Sequence, residues 1–112
     1  AQAEQFSFYR IPKALFTEPN FRELSTDAKV LYGILLDRMS LSLKNQWLDA
    51  QNKVYIIFTV EEIMDALNCA NQKATRLMVE LEKRAGLIER KRQGLGRPNL
   101  IYIKNFLILN GY

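Results

Sequence analysis

Histidine is absent from the 112 residues, and cysteine occurs once, at Cys69. The first absence excludes Ser-His-Asp and Cys-His hydrolases, imidazole-held zinc and histidine acid–base chemistry. The second excludes a disulfide framework and leads us to expect a reducing, cytoplasmic setting. No apolar run approaches the ~18 residues of a membrane span, and no charged segment precedes a greasy one as in an export signal. No membrane role is expected. Internal repeats, low-complexity segments and linkers are missing too. What remains is rich in core-forming residues, 48% apolar and 11% aromatic, well above a disordered tail. A chain of this length is expected to form one domain that buries roughly two-thirds of its unfolded surface. It begins at Ala1 rather than Met, as expected of a fragment or a processed form.

The net charge of +4 is unevenly spread. Residues 1–70 carry seven basic and nine acidic side chains, whereas 71–104 carry nine basic and three acidic ones. The second stretch is therefore +6 in about a third of the chain. A basic run is often only a solvated face; here the charges fall on particular elements.

Phe6 to Tyr9 reads as a short strand ended by Ile11-Pro12, with Leu15 and Phe16 expected in the core. A turn at Thr17-Glu18-Pro19-Asn20 leads to a short helical turn near Leu24. Ser25 is placed to cap a helix, with Asp27 in its first turn. Ala28, Leu31, Tyr32, Leu35, Leu36 and Met39 then recur at helical spacing. Val30 and Ile34 add a second apolar edge, which calls for burial by the domain itself or by another copy. Gly33, costly in mid-helix, points to a close helix contact. Val54 to Phe58 reads as a strand closing a hairpin against Trp47.

Thr59-Val60-Glu61-Glu62 has the form of a capping box, flanked by Phe58 and Ile63 as a hydrophobic staple. A short helix carrying Val60, Ile63, Met64 and Leu67 follows. After Asn68-Cys69-Ala70, Asn71 is expected to cap a second helix running to about Arg84, with Ala74, Leu77, Met78 and Leu81 inward and Gly86 as its stop. Residues 87–92 and 100–103 read as strands joined by the glycine- and proline-bearing loop 93–99. The fold expected is α+β: a mainly helical winged helix-turn-helix with a C-terminal β-hairpin wing and an extra short hairpin.

At 100° per residue, Gln72, Arg76, Val79 and Lys83 point away from that inward stripe, with Lys73 and Thr75 beside them. In a helix-turn-helix this helix enters the major groove, where Arg pairs with guanine and Gln with adenine. Arg90, Lys91 and Arg92 on the wing strand and Arg97 at its tip suit phosphates or the minor groove. The candidate DNA-binding set is Asn71, Gln72, Lys73, Thr75, Arg76, Lys83, Arg90, Lys91, Arg92 and Arg97.

No catalytic residue, cofactor or metal ligand is expected. Glu61 and Glu62 diverge by ~100° on a helix, and capping already accounts for Glu62. Gly94-x-Gly96 lacks the Gly-Lys-Ser/Thr of a phosphate loop. Tyr9, Tyr32, Tyr55, Tyr102 and Tyr112 are candidate DNA-nicking nucleophiles only beside the paired histidines that hold the metal in such enzymes. Core or interface positions suit them better. Cys69 reads as a small buried residue of the helix–helix turn.

Several strings resemble one family in order. They are Phe8-Tyr9-Arg10-Ile11-Pro12-Lys13-Ala14-Leu15-Phe16; Leu24-Ser25-Thr26-Asp27-Ala28-Lys29-Val30-Leu31-Tyr32; Trp47-Leu48-Asp49 with Val54 to Thr59; and Gly96-Arg97-Pro98-Asn99-Leu100-Ile101-Tyr102. From Phe6 to Phe106 the chain resembles the N-terminal domain of the RepA-type replication initiators of low-GC Gram-positive plasmids. One departure is Asn45-Gln46 before Trp47, where a glycine is expected. The resemblance implies a winged-helix module that binds double-stranded DNA at origin repeats for theta-type plasmid replication. It also implies a homodimer, and a separate C-terminal domain that recruits host replication proteins. The residues alone leave open a winged-helix transcriptional repressor, or a protein-interaction module with an acidic partner.

Overall fold

The computed structural model describes residues 7–104. The chain forms α1 (Ala14–Thr17), a 3₁₀ turn (Pro19–Phe21), α2 (Thr26–Lys44), α3 (Val60–Leu67) and α4 (Asn71–Val79). A π-helical turn, Glu80–Arg84, continues α4. The wing then follows as β1 (Ile88–Lys91) and β2 (Leu100–Ile103). The two strands pair antiparallel, Ile88 opposite Ile103 and Lys91 opposite Leu100. Among the described residues, no helix is long and apolar enough to cross a membrane.

The expected cap of α2 forms. Ser25 Oγ accepts the Ala28 amide at 3.2 Å and opens α2 with Asp27 in its first turn. Leu31, Tyr32 and Leu35 of α2 are fully buried among Leu15, Ile63, Leu77, Leu81, Leu87 and Ile101. α2 thus lies across α4, its π turn and β2, and one core serves both the helices and the base of the wing.

Four local expectations are corrected. Residues 7–9 form no strand, and Phe6 lies outside the described residues. Phe16 stays half-exposed because its ring takes the Lys29 ammonium, 4.4 Å from its centroid, rather than a place in the core. Val54 to Phe58 is no continuous strand: Val54 bridges Leu48, and Ile56 bridges Ile101. The segment divides its pairing between the short hairpin and the wing, and the Ile56–Ile101 pair exchanges both amide hydrogen bonds at 2.9 Å. Gly33 meets a backbone strap rather than a helix. A Cβ there would lie 2.9 Å from Ile11 Cγ1 and 3.0 Å from the Arg10 carbonyl oxygen. Ile34, the surplus apolar edge, is covered by the domain's own core.

The Asn45-Gln46 departure has a structural meaning. α2 closes with the Gln46 amide donating to Leu43 O at 3.1 Å and the Trp47 amide to Ser42 O at 2.9 Å, which places Gln46 at the left-handed position of a Schellman stop. Its φ is 58°. A side chain in that conformation costs about 1–2 kcal/mol. The extra chain entropy that glycine loses on folding, about 0.5–1 kcal/mol, recovers only part of this. Gln46→Gly is therefore expected to stabilise the domain by roughly 0.5–1 kcal/mol. Thermal melts should show the midpoint rising by a few degrees; an unchanged or lower midpoint would refute it.

Candidate nucleic-acid interface

The α3–α4 unit is built from its caps outward. Thr59 Oγ1 accepts the Glu62 amide at 3.1 Å, and Glu62 Oε1 accepts the Thr59 amide at 2.9 Å. Phe58 and Ile63 are buried beside this box as a staple. α3 ends at Asn68, whose left-handed backbone (φ 54°) reverses the chain, and the Cys69 amide returns to Met64 O at 3.1 Å. Cys69 is half-buried in the turn. Ala70, not Asn71, occupies the capping position of α4, and no side chain caps it. Asn71 is instead the first helical residue, with its amide side chain exposed.

Ala74, Leu77, Met78 and Leu81 are buried, while Gln72, Thr75, Arg76, Val79 and Lys83 face solvent. The outward face of α4 is therefore the expected one. Two contacts fasten the helix against the start of α2. Lys73 Nζ pairs with the Asp27 carboxylate. Seven residues on, and so only ~20° around the helix, the buried Glu80 carboxylate accepts the Ser25 amide and the Ser25 hydroxyl, each at 2.9 Å. Arg76 leans toward Glu80 at 3.9 Å but keeps 64% of its side-chain exposure. Below it the chain widens into the π turn, closed by the Ala85 amide on Glu80 O at 3.0 Å.

The wing divides the basic set. Arg90 is held by Glu82: Nε at 2.8 Å and Nη2 at 2.7 Å from Oε1, with the Arg90 amide donating to Oε2 at 3.3 Å. Its guanidinium is engaged inside the fold, which the sequence reading missed. Lys91, Arg92 and Arg97 are exposed. Arg90 faces a hollow that Asn71, Arg97, Asn99 and Glu61 also line. The start of α4 and the wing tip thus open onto one side of the molecule. Strand alternation sends Lys91 to the opposite face of β1, with Glu89. At the tip, Gln93 Nε2 donates to Pro98 O at 2.7 Å, and the neighbouring Leu95 is fully exposed.

Opposite the hollow, the short hairpin is tied to β2. Asp49 Oδ1 accepts the Gln51 and Lys53 amides at 2.8 and 2.9 Å, and Oδ2 accepts the Tyr102 hydroxyl at 2.9 Å. Of the tyrosines, Tyr32 is in the core and Tyr102 is engaged here, while Tyr112 lies outside the described residues. No group of three or more His, Cys, Asp or Glu side chains that could hold a metal ion occurs among the described residues.

A helix-turn-helix whose second helix runs into a two-stranded wing is a winged helix. The family model described as "Replication initiator protein A (RepA) N-terminus" matches residues 7–110. The chain belongs to that family. It is 32% identical over 92 residues to the "41 kDa protein" of Lactobacillus helveticus, a match that covers 82% of this chain and 26% of that one. The chain thus spans about a quarter of that relative's length. Among solved structures, one described as "N-Terminal domain of DNA binding protein" and one as "Structure of Rep-DNA complex" each superpose with TM-score 0.79 at 40% identity, covering 92% of this chain and 78% of theirs. A third, "Structure of MDR initiator", superposes with TM-score 0.76 at 42% identity over 92% of this chain and 80% of that one.

Two carboxyls in this RepA-family domain couple its stability to pH. Asp49 is held below its usual value first by the Lys53 amide, with Tyr102 and Gln51 adding against the cost of burial. Burial works to raise Glu82, but its hydrogen bonds and charge pairing with Arg90 outweigh it and hold the carboxyl low. Burial, then the bond to Asp49, pushes the Tyr102 hydroxyl up. Both carboxyls bind protons more weakly when folded. Their contribution is complete above the unfolded carboxyl values near ~4 and is lost as pH falls through the lower folded ones. The urea midpoint should therefore drop on acidification below about pH 4. An Asp49→Asn/Glu82→Gln variant should show a shallower drop, and an identical pH profile would refute the linkage.

Proposed function

We propose that this domain binds double-stranded DNA sequence-specifically at repeats in a plasmid origin, as the recognition module of theta-type replication initiation. The observation that carries the reading is the opening of the α4 N-terminus and the wing tip onto one side, with Asn71 and Arg97 lining the same hollow. Family membership and the likeness to a structure described as a Rep–DNA complex support it. Gln72 and Arg76 read base edges in the major groove, with Asn71 and Thr75 beside them. Lys83 and Arg92 take phosphates, Lys91 reaches one only from the other face of β1, and Arg97 enters the minor groove or grips its rim, with Leu95 as an apolar neighbour. Lys73 first serves the ion pair with Asp27 and reaches DNA from there. The role is non-enzymatic and cytoplasmic, and host replication proteins are recruited by sequence beyond this stretch.

Titration of labelled origin DNA against a scrambled duplex tests this. Arg76→Ala should weaken cognate binding by about 1–3 kcal/mol and relax preference at one base position. With about six phosphates neutralised, log affinity should fall with log salt at a slope near −5, and Arg92→Ala should make that slope shallower by about 1. Parental affinity and slope in both variants would place α4 and the wing away from DNA and favour the protein-interaction module. Cognate binding at an operator instead of the origin would favour the repressor.

The domain is further proposed to act as a homodimer. Ile34 no longer argues for it, but Phe8 and Tyr9 remain widely exposed on the segment that leads into the strap over Gly33. Exposed aromatic pairs of this kind suit a two-fold contact. Sedimentation at micromolar concentration should give twice the 13.0 kDa chain mass, and Phe8→Ala/Tyr9→Ala should shift it toward monomer. A parent that sediments as monomer would refute the pairing.

A further inference from the structure

We propose that the Glu82–Arg90 pair is a strut that sets the angle between α4 and the wing, so that Arg90 acts on DNA by positioning and not by contact. The proposal rests on the DNA-binding reading above. Glu82 stands on the π turn, continuous with the helix that carries Gln72 and Arg76. Arg90 stands on β1, whose far end leads to Arg97.

The covalent connection between them passes through Gly86 at φ 65°, where an added Cβ would meet nothing within 4 Å. The joint is closed by backbone alone, the Leu87 amide donating to Leu81 O at 2.9 Å, and residue 86 has no side chain of its own to help fix the strand's direction farther out. Leu87 and Ile88 anchor only the base of β1 in the core. Two residues farther out, three contacts to one carboxylate hold both the guanidinium and the backbone amide of Arg90. Side-on pairing through Nε and Nη2 is directional, unlike the point contact of a lysine. With only 24% and 16% of the two side chains exposed, the pair is shielded from the screening that weakens surface ion pairs. The wing extends ~3.3 Å per residue beyond this point, so a small rotation at Arg90 becomes a large displacement at Arg97.

Glu82→Gln separates the strut from simple electrostatics by sign. Removing a negative charge and releasing Arg90 tightens binding if Arg90 is a phosphate contact. It loosens binding if Arg90 is a positioning residue. We expect cognate affinity to fall by about tenfold with binding to random duplex unchanged or slightly stronger. Arg90→Ala should lose cognate affinity while keeping the parental salt slope, and Arg90→Lys should fail to restore it. Tighter cognate binding by Glu82→Gln, or a slope shallower by about 1 in Arg90→Ala, would overturn the strut. Residual dipolar couplings provide a readout independent of DNA. In folded Glu82→Gln the wing amides should reorient relative to those of α4, and couplings unchanged from the parent would overturn the proposal. A parent that binds origin and scrambled duplex equally would instead sink the functional reading, leaving the couplings to decide the strut.

Discussion

The Glu80 carboxylate lies buried between the start of α2 and the end of α4, with the Ser25 amide and hydroxyl both donating to it at 2.9 Å. Ser25 in turn takes the Ala28 amide, so one carboxylate completes the cap of the longest helix and fixes the helix with the exposed polar and basic face. Charge-assisted hydrogen bonds to a shielded carboxylate are about twice as strong as neutral ones, and losing a partner would strand buried polar groups. Asp27–Lys73 repeats the tie two α-helical turns nearer the start of α4. The angle at which α4 meets α2, and hence the direction of Gln72 and Arg76, depends on this edge.

Charge within the basic third is spent in two ways. Lys73 and Arg90 each face a carboxylate of the same domain, and Arg76 leans on a third. Gln72, Thr75, Lys83, Lys91, Arg92 and Arg97 remain open to solvent. Paired residues hold helix and wing in place, and open ones are available to a partner. A net charge counted along the chain cannot separate the two, because a paired arginine and an open one contribute equally to it. The distinction matters for nucleic acid: counterion release follows the cations that reach phosphate, not the total number carried.

The short hairpin extends the same economy of support. Asp49 satisfies two amides of its own turn and still reaches Tyr102 of β2, while Ile56 joins Ile101 from the neighbouring stretch. The wing is therefore backed on one side by the hairpin and braced on the other by Glu82. A two-stranded ribbon alone is marginal in water; here its base is part of the core through Leu87, Ile88 and Ile101.

Local signals in the chain determined most of the architecture. The Ser25 cap, the Thr59–Glu62 box, the stripe Ala74-Leu77-Met78-Leu81, the stop at Gly86 and the strand 100–103 all depend on residues within a turn or two of one another, and helix geometry makes such spacing readable. The outward face of α4 followed from the same periodicity, whereas the left-handed backbone at Gln46 came to light only in the structure. Other features depended on residues 46 to 55 positions apart: Asp27 with Lys73, Ser25 with Glu80, Tyr102 with Asp49. No periodicity connects such pairs. Glu82 and Arg90 are only eight apart, yet a π turn and a glycine joint intervene, and neither helical nor strand spacing applies across them. Phe16 lost its expected place in the core, and of the two covers open to Ile34 the domain's own core supplied one, since burial depends on what the rest of the fold brings alongside. The chain's own pattern determined which residues face outward; only the tertiary structure decided which outward cations are already paired.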